Sequence, residues 1–146
     1  MVALALSLMV GWAPCAWATL YTIPTTSQQI DFQNSADPQF QLSDDEINQI
    51  LQALSQYPRS QLAHLKVFKI LPSPDTSLWV SATSDTALFY VPNLQARTDW
   101  PNYSIDVNGM LEYLVWNNLT PAQVQEWDSI SNVAGPSSGQ THFDIL

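Results

Sequence analysis

Apolar residues at Ile47, Ile50, Leu51 and Leu54 fall at the i, i+3, i+4, i+7 spacing of a helix with one buried face. Ser43-Asp44-Asp45-Glu46 precedes them as a capping box: the Ser43 hydroxyl accepts from the Glu46 amide while the Glu46 carboxylate accepts from the Ser43 amide. Pro58 ends that run, and Leu62 and Leu65 predict a short inward-facing helical turn within 59–65. Segments 66–71, 77–82 and 87–91 are rich in β-formers, and the last two flank Thr83-Ser84-Asp85-Thr86, a composition suited to a hairpin turn. Val107, Met110, Leu111, Leu114, Val115 and Leu119 then share one broad face of a helix over about 106–118. Thr120-Pro121-Ala122-Gln123 opens a second helix reaching about 130, with Thr at the N-cap and Pro at N1. Trp79, Trp116 and Trp127 lie on these elements and are assigned to the core.

The flanks are less patterned. Residues 19–41 are polar and carry Pro24 and Pro38, which reads as an extended N-terminal arm, with 21–23 or 29–32 able to pair as a short edge strand. Residues 132–146, with Gly135-Pro136-Ser137-Ser138-Gly139, read as a loose C-terminal tail. The expectation is one small α+β domain over 42–131. It comprises an N-terminal amphipathic helix, a three- to four-stranded mostly antiparallel sheet and two C-terminal helices.

Residues 1–18 read as a cleavable secretory signal. The apolar run ends by Ala13, shorter than the roughly 20 residues of a membrane-spanning helix, and Ala16-Trp17-Ala18 places small residues at −3 and −1. No Lys or Arg precedes the run, as a true start upstream of Met1 would explain. The competing readings are a buried N-terminal helix and acylation at Cys15, although Pro14 directly before Cys15 fits a lipobox poorly. Cleavage after Ala18 removes the one cysteine, so no disulfide holds the mature domain. The expected location is periplasmic, extracellular or lumenal, without stable membrane insertion after cleavage.

Charge narrows the partners. Four Lys/Arg against 13 Asp/Glu give −9, and such a chain is repelled by phosphate backbones and anionic membranes, which argues against nucleic acid. His64 and His142 are the only histidines, so a zinc site of good ligands is not expected, and neither is a cofactor. No Gly-x-Ser-x-Gly elbow is present, and four glycines, one inside the leader, rule out a glycine-rich phosphate loop. Asp44, Asp45 and Glu46 are assigned to helix capping rather than calcium, because carboxylates stabilise the positive end of a helix. Asn102-Tyr103-Ser104 and Asn118-Leu119-Thr120 match the glycosylation sequon, the second with Pro121 behind it.

What remains is a binding surface. Trp100 stands in a loop over 93–103 where burial is less assured, and with Tyr103 and Arg97 it forms the expected recognition site for a protein or polysaccharide partner. The leading expectation is therefore an exported, non-catalytic domain. Glu112 is read as a solvated helix residue.

The order of elements adds an alternative. Leu62-Ala63-His64-Leu65-Lys66-Val67-Phe68-Lys69-Ile70-Leu71-Pro72, a hairpin, the helix Met110-Leu111-Glu112-Tyr113-Leu114-Val115-Trp116, then Asn117-Asn118-Leu119 and a helix ending near Trp127, resemble the minimal core of the zincin metallopeptidases. The likeness is to the small proteins similar to the catalytic domain of anthrax lethal factor, and covers about 42–130. It places Glu112 at the family's catalytic glutamate, while Leu111 and Val115 stand where its two zinc-binding histidines would be. The resemblance thus implies a divergent hydrolase, or a zincin-like relative that has lost its zinc site.

Overall fold

The computed structural model describes residues 18–74, 76–97 and 103–131. Residues 1–17 of the segment 1–18 read as a secretory signal, Trp100, and residues 132–146 lie outside those residues. The chain forms β1 (Ala18–Thr22), β2 (Gln29–Gln33), a 3-10 turn (Pro38–Phe40), α1 (Asp44–Leu54) and α2 (Arg59–Leu62). It continues through β3 (Val67–Pro72), β4 (Trp79–Ala82), β5 (Thr86–Val91), α3 (Tyr103–Trp116) and α4 (Pro121–Ser131). The result is a single α+β domain with two helices after the sheet.

The capping box of α1 forms as its sequence predicts. Ser43 N donates to Glu46 Oε2 at 2.8 Å, Glu46 N donates to Ser43 Oγ at 3.3 Å, and Ile47, Ile50, Leu51 and Leu54 are buried. Helix α3 starts earlier than periodicity indicated, so Tyr103 is its first residue rather than part of a loop.

The sheet differs from the expectation in size and direction. It has five strands in the order β1-β2-β3-β5-β4. The outer pairs β1–β2 and β4–β5 are antiparallel, whereas β2–β3 and β3–β5 are parallel. Residues 19–41 are thus no extended arm: they supply two strands and the 3-10 turn. The physical reason lies in the connections. Parallel neighbours need a crossover, and the one from β2 to β3 contains α1 and α2, so no local turn announces it. Between β3 and β5 the chain first makes β4, which takes the edge and leaves β5 beside β3.

Register sorts the strand side chains into two faces. Phe32, Phe68, Ala87 and Ala82 are successive partners across β2, β3, β5 and β4, as are Ile70, Phe89 and Val80 across the last three. This face is the core. Phe32 and Phe68 stack with centroids 5.1 Å apart, Phe68 meets Phe89 at 4.6 Å, and Tyr21 adds an edge contact to Phe32 at 5.6 Å. Helix α3 lies on the same side across β4 and β5, and Gly109 brings it close enough that an added Cβ would sit 3.4 Å from Val80 Cγ2. Helices α1 and α2 pack against α3, and Trp127 of α4 meets Trp116 edge-on at 5.7 Å.

Two asparagines pin the end of α3 to the β4–β5 hairpin. Asn117 Nδ2 donates to Ala82 O at 2.8 Å and Asn118 Nδ2 to Ser84 O at 2.7 Å, each also bonding its own helix. The Asn118 amide of the second sequon is therefore already held in the folded chain. None of the described helices is long and apolar enough to cross a membrane.

Candidate functional site

The second sheet face carries no described helix. Its side chains run from Leu20 on β1 through Asp31 and Gln33 on β2, Val67, Lys69 and Leu71 on β3, and Leu88 and Tyr90 on β5, to Trp79 and Ser81 on β4. Leu20 is 67% exposed, Trp79 41%, and Lys69 is exposed as well. Trp79 thus leaves the core assigned to it, because strand alternation puts it on the face opposite Val80.

Trp79 and Tyr90 are cross-strand partners whose rings stack at 3.6 Å, only 4° from parallel. Such a pair presents a large, rigid aromatic surface at low conformational cost. Leu71 is the partner of Tyr90 on β3, and farther across the face stand one charge of each sign, Lys69 on β3 and Asp31 on β2. Gln33 Nε2 donates to Asp31 Oδ2 at 2.8 Å, while the enclosed Asp31 Oδ1 has no hydrogen-bond partner. The face continues into an open depression of about 390 Å³ lined by residues 33–37 and 69–72.

The residues expected to form the recognition loop are placed elsewhere or not described. Trp100 lies outside the described residues, and Tyr103 opens α3. Arg97 is a correction: it is 6% exposed, and its Nη2 donates to Gln41 O at 2.6 Å. Its Nη1 stands 3.7 Å from Glu46 Oε1. Arg97 thus ties the loop over 93–97 to the capped start of α1, and contributes nothing to an exposed surface.

Glu112 is also corrected. It is 2% exposed, not solvated, because α3 is covered on most sides. Nearby, Tyr57 Oη donates to Asn108 Oδ1 at 3.0 Å, one helical turn before Glu112. Burial, and then the Glu112 charge, push the Tyr57 phenol above its ordinary pKa. Tyr57 lines an open depression with Thr25, Thr26, Ser55, Gln56, Pro58 and Arg59, whereas Glu112 lies behind it in the interior. Leu111 at 0% and Val115 at 5% exposure are core residues beside it. Among the described residues no three His, Cys, Asp or Glu side chains gather as a metal site would require.

Asp106 supplies a pH signature. It lies in the first turn of α3, where the helix dipole favours the charged form. Burial outweighs the dipole and raises its pKa to about 6. A carboxyl raised on folding adds most stability below its unfolded pKa of 3.8, and that contribution is lost as pH rises through about 6. Asp106→Asn is expected to stabilise the protein at pH 7 on the order of 1 kcal/mol, a value discounted because the half-buried carboxyl is screened by solvent. Urea unfolding at pH 3.5 should show almost no difference between the two proteins. Equal gains at both pH values would mean that the charge of Asp106 is not what destabilises the fold.

Comparison with family models, with curated proteins and with solved structures finds no match.

Proposed function

We propose that this is an exported, non-catalytic domain that holds a protein partner on the open face of its sheet. The observation that carries the reading is the exposed Trp79 stacked on the partly exposed Tyr90, on the side away from α3. Large aromatic side chains are the usual energetic centres of protein interfaces. The −9 charge keeps the free domain soluble and turns away polyanions. Export rests on the leader: cleavage after Ala18 would leave Thr19, opposite Phe32, as the first paired residue of β1. Mass spectrometry of the released chain should find Thr19 at its start.

A photo-crosslinking residue at Leu71, on the same face, tests the site. In the exported compartment it is expected to give one discrete protein adduct. Trp79→Ala should weaken that partner's binding about 30-fold, the effect of losing about 2 kcal/mol at a hot spot. The fold should tolerate the change, because the aromatic pair contributes only about 0.5–1.5 kcal/mol beyond its area. An adduct indifferent to Trp79→Ala would sink the proposal, and Trp79-dependent binding on a glycan array would make the partner a polysaccharide.

A second reading is a zincin-like relative without its metal site, favoured by Glu112 being enclosed beside Asn108 and Tyr57 rather than dispersed on the surface. In it, α3 keeps the family's glutamate position while Leu111 and Val115 have become packing residues. Elemental analysis of the purified protein separates the two readings from a working enzyme. Less than a tenth of an equivalent of zinc is expected, and stoichiometric zinc would overturn the non-catalytic assignment.

A further inference from the structure

We draw no further inference here: the strongest candidate, the buried guanidinium of Arg97 between the 93–97 loop and the N-terminus of α1, leaves Nε and Nη1 without hydrogen bonds, but both atoms are buried and the group is already held by Gln41 O and the Glu46 carboxylate, so nothing there points to a ligand.

Discussion

Replacing Phe68 by alanine is expected to lower the unfolding free energy by about 4 kcal/mol, in the upper part of the range for large aromatic truncations. Phe68 is fully buried, stacked on Phe32 at 5.1 Å and packed against Phe89 at 4.6 Å. Its strand is hydrogen-bonded on both sides, to β2 and to β5. Neither neighbouring strand can move inward to fill the void without losing ladder hydrogen bonds, so the cavity should largely persist. Phe68→Leu keeps much of the volume and should cost only about 1–2 kcal/mol. Urea unfolding measures both, and an unchanged m-value would locate the effect in stability rather than in denatured-state compactness. A loss below about 1.5 kcal/mol for the alanine variant would mean that the Phe32–Phe68–Phe89 core does not exist as described.

The second large effect belongs to Arg97, and it separates charge from volume. Arg97→Ala is expected to destabilise by about 3 kcal/mol, through lost packing of the alkyl stem and removal of the partner of Glu46. Glu46 is 22% exposed and can regain some hydration, so the figure sits at the low end for breaking an ion pair. Arg97→Met should lie within about 1 kcal/mol of the parent. Methionine fills similar space, and it removes the enclosed N–H groups of Nε and Nη1, which find no hydrogen-bond acceptor. If both substitutions were equally harmful, the guanidinium itself, through Gln41 O and Glu46, would be the stabilising element. If neither mattered, the clamp between the 93–97 loop and α1 would be absent in solution.

These residues also mark how far the chain could be read without its fold. Helix α1 was legible because everything that makes it is local: the cap lies three residues from its partner and the stripe repeats every turn. The β4–β5 hairpin was legible for the same reason, with Thr83 N donating to Thr86 O at 2.9 Å across the predicted turn. Strand β2 was not, because Gln29-Ile30-Asp31-Phe32-Gln33 is a short alternating run whose decisive neighbour, β3, lies beyond two helices. Glu112 offers only a partial signal: Val107, Met110, Leu111, Leu114 and Val115 form one broad apolar face of α3, and Glu112 lies at the edge of that face, where burial depends on what packs beside it. Arg97 gave no comparable sign, since one cation in a loop of Asn, Leu and Gln looks the same whether it points inward or out.

The amino-acid sequence by itself determined the segments that become helices and the hairpin, the caps that start α1 and α4, and an acidic balance of −9 with one cysteine and two histidines. Only the tertiary structure decided that the polar stretch over 19–41 completes the sheet, that Arg97 and Glu112 turn inward, and that Trp79 turns outward beside Tyr90. The division has one cause. Caps, turns and periodicity act over a few residues and are written locally. The face a strand exposes depends on which distant strand it pairs with, and where the helices between them come to rest.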